Sequence, residues 1–265
     1  MSMVRIDMQD TVACITLDRP EVLNALSREL AEQAIAALKD AQARGARAIV
    51  LTGAGRAFST GADLTGFDQL RQKAAGAVPA AIGRDMREVL NPLTQAIAES
   101  PVPVVCAVNG PCAGGSVGVA LAADLVIAAR SSYFLIPQVA HLGIVPDLGA
   151  TWFMPRQAGR ARALGAMLLG DRIGAEQAAA WGLIWSCVDD TALMGEALRL
   201  AQRLAGVPPD AVCATRRLVD AAPRTSLIEQ LEVERQVQID FLGTPYFHNR
   251  VALFVATTQK DKKGP

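Results

Sequence analysis

Histidine is scarce in these 265 residues: there are two, His141 and His248, and neither stands at ligand spacing from cysteines or carboxylates. No resident metal is therefore expected. The five cysteines, Cys14, Cys106, Cys112, Cys187 and Cys213, include no CxxC pair. Scattered and odd in number, they read as reduced thiols, not as a disulfide framework. Neither sign of charge is in excess, since 26 Lys and Arg balance 26 Asp and Glu. That removes any general pull toward nucleic acid or an acidic membrane surface, and neither is expected as a partner. Long apolar runs are missing as well. The longest, Val117–Ala129, is broken by Asp124 and is too short for a bilayer span. The first ten residues carry Asp7 and Asp10 and no apolar segment, so they do not read as a signal peptide. A cytoplasmic protein is the expectation.

What the chain has is apolar mass, 51% of its residues, enough for a substantial core. Val4–Gln9 and Val12–Asp18 alternate as strands. Ser27 is placed to cap a helix running to about Gly45, with Leu30, Ile35, Ala37 and Leu38 as its apolar stripe. Arg47–Thr52 reads as a buried strand. "GAGRAFSTGADL" reads as a glycine-punctuated loop entering a helix. Residues 66–80 are linker-like, and a helix follows to about Ser100. Val102–Val108, Asp124–Ala129 and Tyr133–Ile136 read as strands, and "NGPCAGGSVG" as a turn into a helix. From about Ala150 the chain is mainly helical apart from "LIWSCVD". This predicts a mixed α/β core followed by a helical C-terminal part.

Two glycine-rich junctions carry the chemistry. "GGSVG", Gly114–Gly118, matches the G-x-S-x-G nucleophile elbow with Ser116 as nucleophile. An elbow needs the strand to run straight into the serine, however, and Asn109–Ala113 intervene. A Gly-Gly pair opening a helix also leaves backbone N–H groups unshielded, which suits a developing oxyanion. "STGADL", Ser59–Leu64, is a second junction of this kind. One N–H from each would make a two-donor oxyanion hole; the plainer alternative is a pair of tight turns. The last feature is "GIVPDLGATW", Gly143–Trp152, which sets Asp147 among apolar residues before a helix. Asp147 is either the cap of that helix or a base kept from water by Ile144, Val145, Pro146 and Leu148.

"LDRPEVLNAL", "VLTGAGRAFSTGADL", "PVPVVCAVNGPCAGGSVGVALAADLVIAA" and "LGIVPDLGATWFMPRQAGRARALGAMLLGDRIGAEQAAAWGLI" together resemble the crotonase (enoyl-CoA hydratase/isomerase) superfamily, in its order and spacing and over essentially the whole chain. The resemblance implies an α/β fold, a crotonase-like spiral of ββα units over residues 1–200. A helical trimerisation region follows at 201–265, and the assembly is a homotrimer or a dimer of trimers. It implies an acyl-CoA thioester as substrate, with CoA arriving as part of it and no separate cofactor. By position, the oxyanion donors fall on the N–H groups of Ala62 and Gly115. Thr60, Gly61, Asp63, Leu64 and Gly114 stand beside them. Arg19, Val22 and Ala25 fall on the CoA edge.

The family's hydratases work with two glutamates, one activating water and one exchanging the α-proton. Those positions are Gly118 and Gln138 here, and neither is an acid or base. Isomerases of the family carry an acid at the "PD" position, which is Asp147. Within the superfamily, "NPLTQAIAESPVPVVCAVNG" and the segment after Leu148 look most like the ring-epoxide and enoyl-CoA isomerases of phenylacetate breakdown. The resemblance thus implies an acyl-CoA isomerase that shifts a double bond or rearranges a ring epoxide. Asp147 would act as acid/base, and Gln138 would line the substrate site. A hydratase with non-standard groups and a non-catalytic acyl-CoA-binding paralogue are the alternatives.

Overall fold

Period-two alternation decides how the main sheet is covered. The computed structural model describes residues 2–63 and 77–261. In β3 (Ala48–Gly53), Ile49 and Leu51 face one apolar cluster while Ala48 and Val50 face another. The same split recurs in β2 (Val12–Leu17), in β4 (Val104–Val108) and in β6 (Leu125–Ala129). Strands buried on both faces read as continuous apolar runs, which is why "RAIVLT" and "VVCAV" show no polar alternation.

The sheet has six strands in the order β1-β2-β3-β4-β6-β9, with β1 at Val4–Gln9 and β9 at Ser186–Val188. β1 pairs antiparallel with β2, Val4 opposite Leu17, and all later pairings are parallel. A small second sheet joins β5 (Cys112–Ala113), β7 (Tyr133–Leu135) and β8 (Ile173–Gly174) in the order β5-β7-β8.

On one face lies α1 (Arg28–Ala43), capped by Ser27, whose side chain accepts from the Leu30 amide. Leu30, Ala34, Ala37, Leu38 and Ala41 form its buried stripe. Next comes α2 (Ala77–Asp85), then a wider π-type turn over Met86–Leu90, then α3 (Asn91–Ala98). The helix expected to reach Ser100 is therefore interrupted, and residues 77–80 of the expected linker are helical; the rest of that linker lies outside the described residues. Six more helices of the first unit follow: α4 (Gly115–Leu121), α5 (Gln138–Leu142), α6 (Ala150–Ala158), α7 (Arg160–Leu169), α8 (Ala175–Ala180) and α9 (Leu193–Ala205). α9 covers the opposite face of the sheet through Leu193, Ala197, Leu200, Ala201 and Ala205, a clean helical stripe. A leucine buried in this way contributes about 1.5–3 kcal/mol.

The chain divides into two compact units, Met1–Gly206 and Val207–Pro265. Residue 200 lies inside α9, because the stripe that holds this helix on the sheet runs to Ala205. The second unit is helical: α10 (Pro209–Ala221), α11 (Leu227–Leu242) and α12 (Pro245–Asp261). A capping box opens α11, where Ser226 accepts from the Glu229 amide and Glu229 accepts from the Ser226 amide. No helix among the described residues is long and apolar enough to cross a membrane.

The parallel strands matter for function through their C-terminal ends, where open α/β sheets place ligand sites. Ala54–Asp63 leaves the end of β3, and Asn109–Pro111 leaves the end of β4.

Candidate active site

The two glycine-rich junctions are built against each other. Phe58 and Ser59 donate their amides to the Pro111 carbonyl at 3.1 and 3.2 Å, and Ala113 donates back to Ser59 at 3.0 Å. A Cβ added to Gly114 would stand 3.7 Å from the Gly61 Cα, so the two turns are in contact. Leu26 donates to the Gly61 carbonyl at 2.7 Å and accepts from the Asp63 amide at 3.0 Å. In this pairing Ala62 turns its own amide away from Leu26. Among the described residues, neither the Ala62 amide nor the Gly115 amide has an acceptor. Ala62 is exposed and Gly115 opens α4. Two free donors on touching loops match the arrangement an oxyanion needs.

The Arg19–Ala25 segment braces the first loop. Leu23 and Asn24 both take left-handed backbone, φ 54° each, folding the segment into a tight hook. The buried Asn24 side chain fixes the hook. Its Oδ1 accepts from the Arg19 amide at 2.8 Å, and its Nδ2 donates to Ala54 and Ala57 carbonyls at 2.9 and 2.8 Å. Thr60 donates its amide to Leu23 at 3.2 Å. Arg19 was expected at the CoA edge. In the structure its Nη1 turns to Asp63 Oδ2 at 2.9 Å and to the Ala25 carbonyl at 3.1 Å. Asp63 ties the loop to Arg19 through this pair. Val22 is half-buried at the end of a 3-10 turn, Ala25 is buried, and Leu64 lies outside the described residues. The Arg19–Asp63 pair is only 17% and 11% exposed, so breaking it strands a charge. Asp63→Ala is expected to cost about 2–3 kcal/mol, read from the denaturant midpoint.

Asp147 is delivered by a chain reversal. Gln138 begins α5, which stops at the left-handed Gly143, and the Ile144 amide returns to the Gln138 carbonyl at 3.1 Å. The loop then passes back over its own start. There Gln138 Nε2 donates to Asp147 Oδ1 at 3.3 Å. A Cβ built on Gly115 would lie 2.7 Å from that same oxygen. The carboxylate therefore rests on the first residue of α4, beside one free amide. The capping alternative is overturned: Gly149 holds the N-cap of α6, and no side chain caps that helix. Burial holds the Asp147 carboxyl above its ordinary pKa, against opposing hydrogen bonds from Gln138 and a backbone amide. One expectation is corrected. Ile144 and Val145 are 55% and 77% exposed, and only Leu148 of the four apolar neighbours is buried. The loop turns outward before it turns back.

Gly118 has no room for a side chain. A Cβ there would stand 2.1 Å from the Leu148 carbonyl oxygen and 2.8 Å from the Ala150 amide nitrogen. The turn bearing Asp147 has closed onto α4 at the position where a hydratase glutamate would project. Leu148 completes this approach with φ 47°, a strained conformation for a leucine. Thr94 of α3 donates its hydroxyl to the Leu148 carbonyl at 3.3 Å. Gln138 is buried, and its Oε1 has no partner among the described residues.

Thr94, and the left-handed backbone of Leu148, are what sequence reasoning missed. A left-handed leucine has no sequence signature, and Thr94 reads as one polar residue in a helix. Ser116 is fully buried, with its hydroxyl directed at two carbonyls. The elbow reading fails on burial, as the intervening Asn109–Ala113 suggested.

Two glycine-rich turns in contact, with an acid resting on the second of them, make up the candidate site. The matching family model, Enoyl-CoA hydratase/isomerase, covers residues 7–262, and the chain belongs to that family. It is 40% identical over 239 residues to the 1,2-epoxyphenylacetyl-CoA isomerase of Escherichia coli (strain K12), covering 90% of this chain and 89% of the relative. It is 41% identical over 253 residues to a Rhodobacter capsulatus protein named "Probable enoyl-CoA hydratase", covering 95% and 94%. The fold is that of the crotonases. An enoyl-CoA hydratase structure from Polaromonas sp. JS666 superposes with a TM-score of 0.88 at 29% identity, covering 96% of this chain and 97% of that one.

Proposed function

We propose that this family member is an acyl-CoA isomerase working with one carboxylate. Asp147 removes the proton α to the thioester. The electron pair of that C–H bond becomes an enolate, whose oxygen is held by the Ala62 and Gly115 amides. Asp147 then returns the proton further along the chain and the double bond shifts; a ring epoxide would rearrange through the same enolate. The observation that carries the reading is the closure of the Leu148 backbone over Gly118, which leaves Asp147 as the acid beside α4. Similarity to the Escherichia coli epoxide isomerase supports this choice of substrate class. CoA enters as part of the substrate, and the chemistry calls for no further cofactor. The test is deuterium uptake from heavy water at the α-carbon of enoyl-CoA and ring-epoxide-CoA esters, followed by mass spectrometry.

Acidity gives a second check. A base must be ionised, and burial raises the Asp147 pKa. Exchange is therefore expected to fall as pH drops through a value above the ordinary one for an aspartate. Gln138→Leu removes a donor that favours the ionised form, so it is expected to move this acid limb to still higher pH.

The Rhodobacter relative favours a second reading, hydration by other groups. Formation of 3-hydroxyacyl-CoA from crotonyl-CoA would support it; turnover of any ester would sink the non-catalytic alternative. The exposed Leu227, Ile228 and Phe254 of the second unit support assembly into a homotrimer or larger oligomer.

A further inference from the structure

We infer that Ser116 is a positioning residue for the oxyanion hole, its hydroxyl locking the two donor loops into one frame. This rests on the oxyanion role of Ala62 and Gly115 proposed above. Ser116 follows Gly115 directly and is fully buried. Its Oγ lies 2.8 Å from the Ser59 carbonyl and 2.7 Å from the Ala113 carbonyl. One hydroxyl proton is thus shared between the Ala54–Asp63 loop that carries Ala62 and the end of β5, from which the chain turns into Gly115. The Ala113 carbonyl is itself packed on the Ala62 loop, since a Cβ on Gly61 would stand 2.6 Å from its oxygen. Cys112 Sγ, 3.7 Å from the Ser116 oxygen, closes the remaining side.

The hydroxyl is not the only donor to the Ser59 carbonyl. The Ser59 carbonyl also accepts from Ala113, so alanine at 116 leaves it with a partner. Nor is it turned toward the site: the hydroxyl is directed at the two carbonyls, and Ser116 is fully buried. What it does is set the distance between the two loops. Donors aimed at a developing charge lose most of their effect when displaced by a fraction of an ångström. A serine that resembles a nucleophile by motif thus serves the reaction through the amide beside it.

The experiment compares wild type with Ser116→Ala, using hexanoyl-CoA labelled with carbon-13 at the thioester carbonyl. Infrared difference spectra give the C=O stretch of the bound ester, which drops in frequency as oxyanion donors polarise it. The variant is expected to lose at least half of the wild-type drop. Its α-proton exchange should fall about 10- to 100-fold, with the dissociation constant changed less than about threefold. A CoA thioether, which has no carbonyl oxygen, should bind both proteins equally and reports that the variant is folded. Ser116→Gly removes the hydroxyl without adding bulk and is the second variant should the alanine not fold. An unchanged stretch and exchange rate in a folded variant would overturn the positioning role. A wild-type protein that polarises the carbonyl but exchanges no proton would overturn the isomerase reading, leaving Ser116 judged on the stretch alone. A wild-type spectrum without the drop overturns both.

Discussion

Asp147→Asn is expected to reduce α-proton exchange by about 1,000-fold or more, the scale of losing a positioned general base. The variant separates chemistry from structure. Asparagine has nearly the same shape, and its amide oxygen still accepts from Gln138 Nε2, which meets Oδ1 in the wild type. Because burial raises the Asp147 pKa, the ionised carboxylate destabilises the fold at neutral pH. That penalty is present above the raised value, fades as pH falls through it, and is gone below the ordinary carboxylate value. The asparagine variant should therefore melt no lower than wild type at neutral pH. Any thermal advantage should shrink on acidification. Full exchange in the variant would remove Asp147 from the mechanism; a large drop in melting temperature would make lost activity uninformative and contradict the burial argument.

Gly118→Glu is the second variant with a large expected effect. It puts a carboxylate back where a hydratase carries one, yet it should not create a hydratase. The first atom of the new side chain would meet the Leu148 carbonyl at 2.1 Å, and what it meets is backbone. A flexible neighbour could swing aside; here the whole Asp147–Gly149 turn must lift. Overpacking of this kind costs about 3 kcal/mol or more, and Gly118→Ala already carries most of it. Denaturant midpoints for the pair should fall together, and crotonyl-CoA should not gain water. A stable glutamate variant with new hydration would show that the turn moves readily, against the account of the site given above.

These two variants also mark where the sequence was readable. The strands after Arg47 and Val102 were legible because burial on both faces demands unbroken apolar runs. Their C-terminal ends then placed both glycine turns. Ser27 was legible as a cap because its oxygen has one local job, and Leu30 supplies the partner. The role of Asp147 was not decidable from "VPDLG", since a cap and a base share the same letters. Rejecting the cap took Gly149 at the start of α6, and placing the carboxylate took the reversal at Gly143 and its landing on Gly115, 32 positions away. The pairing of Arg19 was invisible for a related reason. A basic residue near a CoA edge suggests a phosphate, and only the fold reveals that Asp63 claims it first. The outward tilt of Ile144 and Val145 was equally invisible, because apolar composition does not say which way a loop faces.

The closure of Leu148 over Gly118 also bears on how such a chain could change. A chain in this state cannot reach two-carboxylate chemistry in one step. The glutamate fails while the turn is down. Raising the turn without the glutamate uncouples Asp147 from Gly115, and the existing reaction goes with it. Each intermediate is worse than either end. On the mechanism proposed above, the backbone at 147–149 would therefore act as a ratchet, holding the site to one-carboxylate chemistry.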